Sequence, residues 1–302
     1  MGSIYHAGER KIQAEAGAVE AAANLERMVL PVIAHLYVGF IQSQQYVFIG
    51  AADNQGMTWG AILSGKPGFM QVMDEQTLRI DALPDEQDPI SGNFREGAEI
   101  GLVLVDFSTR RRLRVNGTVI MEEGGFSVRT RQVYANCPRY IQSRNCDSGG
   151  TVSASPRSMR QATSLNSEYR AWIEQADTFF IASYHPEGGT DISHRGGYPG
   201  FVQIVDDETI IWPDYNGNGM FNTLGNIVGN PACGLLFLDF EKGGILQMSG
   251  AAEIIADSVR ANLFPGAERM VEFRIKNIIE TRNATNLRWS FIEYSPYNPW
   301  FC

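Results

Sequence analysis

The chain is poor in the residues that build metal centres and disulfide frameworks. Its 302 residues include 4 cysteines and 4 histidines. Cys137, Cys146, Cys233 and Cys302 form no CxxC pair and no Cys/His zinc spacing, and the scattered His6, His35, His185 and His194 form no HExxH. No metal site is therefore expected, and the thiols are expected to be reduced. Positive charge is also scarce, with 25 Lys and Arg against 34 Asp and Glu, a net charge of −9. Phosphate-backbone binding needs a positive surface, so nucleic acid is not an expected partner. No apolar run is long enough to span a bilayer, which argues against a membrane partner. The first residues lack the apolar stretch of a secretory signal, so a cytoplasmic location is expected. There is no GxSxG, no GxGxxG after a strand and no Walker A sequence, leaving no support for a nucleophile elbow, a Rossmann unit or a P-loop.

What is present occurs twice. FIGAADNQG, KPGFMQVMDEQTLRI, GLVLVDF and RVNGTVI in the first half answer to FIASYHPEGG, YPGFVQIVDDETIIW, GLLFLDF and MSGAAEI in the second. Phe48 and Phe180, Phe69 and Phe201, and Thr77 and Thr209 each stand 132 residues apart, and the offset is 133 from Gly101/Gly234 to Gly117/Gly250. Two copies are too few for a solenoid, but each is long enough to be a small domain. A duplicated domain can recreate within one chain an interface once made by two, and a cleft between related halves is a common ligand site.

Residues from about Glu9 to Met28 read as a helix rich in alanine, giving an N-terminal arm over 1–30. Short apolar runs with turns every 8–12 residues follow, the spacing of an antiparallel barrel or sandwich. They make a first barrel domain over 31–123 and a second over 158–302. The second is entered through a helical stretch at Ser158–Gln175, and Val271–Ile279 and Leu287–Glu293 read as closing strands. The connector between the domains, 124–157, holds Gly124-Gly125, Gly149-Gly150 and several serines. It also holds Asn136-Cys-Pro-Arg-Tyr-Ile-Gln142, too specific for a plain linker.

Polar residues break the symmetry of the repeat. Ser193 and Arg195 lie on one face of the second strand of the second half, with His194 on the other; their counterparts are Ala61 and Leu63. An anion site in one copy is one reading, and a surface ion pair for Arg195 is the other. The loop Asp214–Asn226 is dense in Asn, Gly and Thr. Asn222, Thr223 and Asn226 can present donors at helical spacing to a phosphate, although such loops are also ordinary turns. Arg110, Arg112 and Arg114 share a strand face and answer to Gly243, Ile245 and Gln247, which fits a composite anion site or a solvated edge. Cys137 is either a reactive thiol or a structural cysteine.

The ordered set of KPGF…DEQTLRI, SHRGGYPGF, PDYNGNGMFNTLGN, NPACGLLFLDF and RRRLRVNG resembles the pyridoxamine 5′-phosphate oxidase-like FMN-binding split-barrel proteins, in their tandem flavin-nucleotide-binding form. Tyr5-His-Ala-Gly-Glu9, Asn136-Cys-Pro-Arg-Tyr-Ile and Ser295-Pro-Tyr-Asn-Pro299 are similar to that group as well. The resemblance implies a mainly β fold of two tandem six-stranded antiparallel Greek-key split barrels, forming an internal pseudo-dimer with flanking helices. It implies FMN between the halves, its phosphate on Arg195, with Phe221, Asn222 and Thr223 in the phosphate-binding stretch and Arg112 and Arg114 reaching over from the first half. That stretch lacks the family's basic residues. One good site and one degenerate site are expected. The family's C-terminal Arg and His for a vitamin B6 substrate have no counterpart in Leu287–Pro296, so oxidation of that vitamin is not expected. The implied activity is an FMN-dependent oxidoreductase exchanging electrons between a small organic substrate and oxygen or a nicotinamide donor, NADH or NADPH. The alternative is a non-catalytic flavin- or haem-binding protein, and a homodimer of the pseudo-dimeric chain is a further expectation.

Overall fold

The computed structural model describes residues 3–147, 156–255 and 264–299. The arm holds α1 (Ala7–Glu15) and α2 (Val19–Glu26), and α3 (His35–Ser43) leads into the first barrel. The single helix expected over about Glu9–Met28 is broken at Gly17, whose φ of 64° lies in the left-handed region that ends helices. A capping box starts α1: the His6 ring accepts from the Gly8 N–H at 3.1 Å, and the Glu9 carboxylate accepts from the His6 N–H at 2.8 Å.

The first barrel comprises β1 (Tyr46–Ala52), β2 (Thr58–Ser64), β3 (Met70–Asp74), β4 (Thr77–Ile80), β5 (Glu99–Asp106), β6 (Arg111–Glu122) and β7 (Gly125–Ala135), with a 3-10 turn at Ser91–Asn93. After β8 (Ser143–Asp147), β9 (Ser158–Ala162) and α4 (Ser167–Gln175) comes the second barrel. It contains β10 (Thr178–His185), β11 (Gly189–Gly196), β12 (Gln203–Ile204), β13 (Thr209–Tyr215), α5 (Asn222–Gly229), β14 (Ala232–Leu238), β15 (Ile245–Ile255) and β16 (Ala267–Arg282), with β17 (Arg288–Glu293) after it.

The two sheets follow the same antiparallel path strand for strand, β2-β1-β5-β6-β7-β4-β3 and β11-β10-β14-β15-β16-β13-β12. Even the irregularities repeat. The register shifts at Asn116/Gly117 in one sheet and at Ser249/Gly250 in the other, and a Cβ at either glycine would stand 2.1 Å from a carbonyl oxygen of the neighbouring strand. Only glycine admits that approach.

Several boundaries differ from those read in the sequence. The expected connector contains β7, so the first barrel runs to Ala135 and each path has seven strands. Gly124 (φ 72°) is a hairpin turn here, where a Gly-Gly pair reads as a linker. The first residues of the expected helix Ser158–Gln175 are strand β9, paired with β16, and α4 begins only after Asn166, whose side chain caps it. Strand β17 pairs with β8 and so closes neither barrel.

Strands β5 and β14 read as unbroken apolar runs because both of their faces are buried. Leu102 and Leu104 point into the core of the first barrel, and Leu235 and Phe237 into that of the second. Val103, Val105, Leu236 and Leu238 point into a third core between the barrels. There the rings of Phe48 and Phe180, equivalent residues of the repeat, stack at 3.6 Å, and those of Phe107 and Phe240 meet edge-on at 5.3 Å. A residue touching its own equivalent marks a twofold axis. The close approaches are reciprocal too: a Cβ at Gly101 would lie 2.7 Å from Asp191 Cα, and one at Gly234 would lie 2.5 Å from Trp59 Cα. The halves thus form an internal pseudo-dimer. Each fully buried aromatic ring on the axis contributes about 1.5–3 kcal/mol.

Candidate functional site

The pseudo-axis brings β11 against β5 and β6. Alternation along β11 sets Asp191, Ser193 and Arg195 on one face, and alternation along β6 sets Arg112 and Arg114 opposite them. Helix α5 enters from below, its first residues carrying Asn222 and Thr223. The chain reaches α5 through a turn in which Gly219 (φ 76°) and Phe221 (φ 60°) are both left-handed, and no side chain caps the helix. Ser193, Arg195, Arg112, Arg114, Asn222 and Thr223 line a cavity of about 110 Å³, roofed by Asn136, Arg139 and Tyr140 and flanked by Asp214 and Tyr215.

The roof comes from the connector and is firmly anchored. Fully buried Gln142 donates to the carbonyls of Tyr140 and Gly197 (both 3.1 Å) and accepts from the Ser295 N–H at 2.8 Å and the Asn298 side chain at 3.0 Å. Buried Arg144 forms a two-pronged ion pair with Asp177. Arg139 and Tyr140 then reach across to Asn216, at 2.6 and 2.9 Å. The specificity of Asn136–Gln142 in the sequence is therefore that of a wall built over the cavity.

The cavity is rich in cations. Buried Arg114 pairs with Asp191 and donates to Ser193 Oγ, which also receives a hydrogen bond from Thr223 Oγ1 at 2.9 Å. Half-buried Arg112 stands 3.4 Å from His194 Nδ1; burial, and then Arg195, push its guanidinium down to about 10. Burial also lowers Arg195, while Asp214 and Asp191 oppose that shift. His194 is buried and held neutral, well below its ordinary value, by desolvation and by Arg112 and Arg195. Burial raises Asp214, whose carboxylate is engaged by Arg269 at 3.2 Å. Among the described residues, thirteen buried side-chain polar atoms have no hydrogen-bond partner, and five belong to this lining: Arg112 Nε, Arg114 Nε, Asn136 Nδ2, His194 Nε2 and Tyr215 Oη. Unpaired buried donors are costly, so their concentration here marks a place for an acceptor-rich ligand.

Six of the seven residues selected from sequence line this cavity: Ser193, Arg195, Asn222, Thr223, Arg112 and Arg114. Asn226 does not join them. One turn further along α5, it bonds His6 Nε2 at 2.9 Å and Ser183 Oγ at 2.9 Å. Asn222 lines the cavity with both ends engaged, donating to Glu9 at 2.6 Å and accepting from Tyr134 Oη at 3.2 Å. Both asparagines thus serve chiefly to dock the N-terminal arm, which packs so tightly that a Cβ on Gly8 would lie 2.2 Å from the Gly225 carbonyl oxygen. Sequence reasoning missed His194, Asn136, Arg139, Tyr140 and Tyr215 as lining residues, and Asp191 as the ion-pair partner of Arg114 behind them. Strand alternation with Ser193 and Arg195 could have found Asp191. Cys137 is half-buried and unbridged.

The equivalent place in the first half is differently filled. Ala61, Leu63 and Ile245 are buried apolar residues, and Ile62 packs against the core between the barrels. Gln247 donates to the Gly60 carbonyl at 2.8 Å and lies 3.4 Å from Asp88, a buried carboxyl raised by desolvation to about 6.

The sequence model of the pyridoxamine 5′-phosphate oxidase family matches residues 165–288. Solved structures similar to this chain include HupZ of Group A Streptococcus (17% identity over 37% of this chain and 90% of that one, TM-score 0.31). A second is a putative pyridoxamine 5′-phosphate oxidase of Lactobacillus delbrueckii (15%, 39% and 94%, TM-score 0.32), and a third is an FMN-binding protein of Syntrophomonas wolfei (12%, 37% and 82%, TM-score 0.28). No curated protein matches. No helix among the described residues is long and apolar enough to cross a membrane. The matched stretch carries β11 with Arg195 and α5, and over it the chain is similar to the pyridoxamine 5′-phosphate oxidase family.

Proposed function

We propose that the chain binds FMN between its two barrels and is a flavin-dependent oxidoreductase acting on a small organic substrate. The observation that carries this reading is the set of unpartnered polar atoms around a cavity lined by Arg112, Arg114 and Arg195, whose charge Asp191 and Asp214 offset only in part. The donor set suits a phosphate. Arg195 and Arg112 supply charge, Ser193 and Thr223 supply hydroxyls, and the uncapped start of α5 supplies backbone N–H groups. Arg114 is largely committed to Asp191, so it stiffens the site and sets its field. The enclosed volume of about 110 Å³ is smaller than the roughly 300 Å³ of a typical small-molecule pocket. It suits the phosphate end, and a flavin ring would need the open side of the cleft.

Bound FMN would supply the electron transfer, as hydride or as single electrons. The chain would bind and orient it and exclude water with the roof of Asn136, Arg139 and Tyr140. Hydride transfer requires no general acid or base in principle. NADH, NADPH or oxygen would be the second electron partner.

A specific observation favours one second reading, a haem-binding protein. His194 is neutral and its buried Nε2 has no partner, the state required of an axial ligand. The absorption spectrum after incubation with excess FMN and desalting separates the two. A retained two-banded flavin spectrum, bleached by NADH or NADPH without air and restored by air, supports the proposal. A Soret band in the purified protein supports haem, and a colourless protein that retains no FMN refutes the flavin reading.

A further inference from the structure

The N-terminal arm carries a buried acid beside the cavity that the proposed function does not use. Glu9 is 4% exposed. Its Oε1 accepts from Asn222 at the start of α5, 2.6 Å away, and its Oε2 accepts from the His6 N–H at 2.8 Å. The elements packed around it are few and can be named. On its own helix, the His6 ring lies 3.4 Å from Oε2 and is kept mostly uncharged by burial. Behind that ring, His185 at the end of β10 stacks at 3.7 Å. From β7 comes Tyr134, which donates to the same Asn222. From β6 and β11 come Arg114 and Asp191, already paired with each other. Arg114 is spent on Asp191 and only partly offsets the burial of Glu9, and Arg10, the next residue, donates to the Tyr5 carbonyl at 2.6 Å; with neither arginine hydrogen-bonded to it, desolvation raises the Glu9 carboxyl to about 7. A continuous buried path therefore runs from the acid through Asn222 to the cavity lining.

We infer that Glu9 is a positioning residue for the anion cavity: it holds Asn222 at the head of α5 and makes phosphate binding there proton-linked. The inference rests on the flavin reading above. With Glu9 protonated, the cavity keeps its full positive field. With Glu9 ionised, a negative charge stands one residue behind the bound phosphate and weakens it. A unit charge felt across roughly 10 Å at an effective dielectric of about 20 changes affinity by about tenfold.

The test is the dissociation constant of FMN for the full chain between pH 6.5 and 8.5, read by quenching of flavin fluorescence, with riboflavin as the phosphate-free control. The phosphate has its second ionisation near pH 6, so it is mainly a dianion throughout this window. Wild-type affinity for FMN should fall about tenfold across the window, and affinity for riboflavin should stay level. Glu9→Gln, which a capping box tolerates, should hold the pH 6.5 affinity throughout. Glu9→Ala, which releases Asn222, should bind weakly at every pH. Parallel slopes for wild type and Glu9→Gln would overturn the inference while leaving the flavin site standing. Absence of FMN binding in all three proteins would instead overturn the flavin reading, and the coupling with it.

Discussion

On β11, Ser193 and Arg195 face a cavity; at the same positions of β2 stand Ala61 and Leu63, packed in the first barrel's core. On β6, Arg112 and Arg114 face that cavity; at the same positions of β15 stand Ile245 and Gln247. The unpaired buried atoms differ in kind. Around the second-half cavity they include the arginine Nε and asparagine Nδ2 donors, whereas the equivalent place leaves an acceptor, Gln247 Oε1. Each cleft is backed by a carboxyl that burial raises, Glu9 in one and Asp88 in the other. Duplication thus preserved the frame, down to its glycines and bulges, while the arginine-lined cavity stands on one side only. The frame is held by contacts that need both halves. The site needs one face from each half, so it can be lost in one copy without cost to the fold.

The comparison can be broken at its axis or at either cleft. The largest effect is expected from Phe180→Ala, which removes the ring stacked on Phe48. A loss of about 3–5 kcal/mol in urea unfolding is expected, and a loss below about 1 kcal/mol would deny the shared core its role. Arg195→Ala should weaken FMN by about a hundredfold or more, within the roughly 2–5 kcal/mol seen when one partner of a close charge pair is truncated. Circular dichroism should stay unchanged. Asp88→Asn should act on stability through pH. The folded-state value of Asp88 lies above its unfolded one, so the folded protein holds that proton longer. Its contribution is complete below about pH 4 and is lost as pH rises towards about 6, by at most about 3 kcal/mol. The variant should flatten that part of the stability profile; an unchanged slope would show that the carboxyl is not desolvated. The smallest effect is that of Asp88→Asn on FMN: titration should give an unchanged affinity.

The repeat made the architecture legible. Residues such as Phe48, Phe69 and Gly101 recur at an offset of 132 or 133, and pattern alone then gives two like antiparallel domains, barrel or sandwich, which the family resemblance reads as barrels. Boundaries were less legible where one signal serves two purposes. Gly124-Gly125 reads equally as a linker and as a hairpin turn, so β7 was hidden. The strand β9 is short and lies on an exposed edge, so its five residues carry little apolar signal. For the site, strand alternation put Ser193 with Arg195 and Arg112 with Arg114, and the resemblance to the split-barrel proteins brought the two pairs together. The partners of the α5 asparagines were not legible because they are distant in sequence: His6 lies 220 residues from Asn226, and Glu9 213 residues from Asn222. Local chemistry says that an asparagine can donate, and only the packed arm says to what.

The central claim is that two like halves make one working site. The most direct measurement is the number of FMN molecules bound per chain, by equilibrium dialysis of wild type and Arg195→Ala. The account predicts one FMN per wild-type chain and no saturable binding at the same concentrations in the variant. Two FMN per chain, or one FMN bound equally well without Arg195, would contradict it.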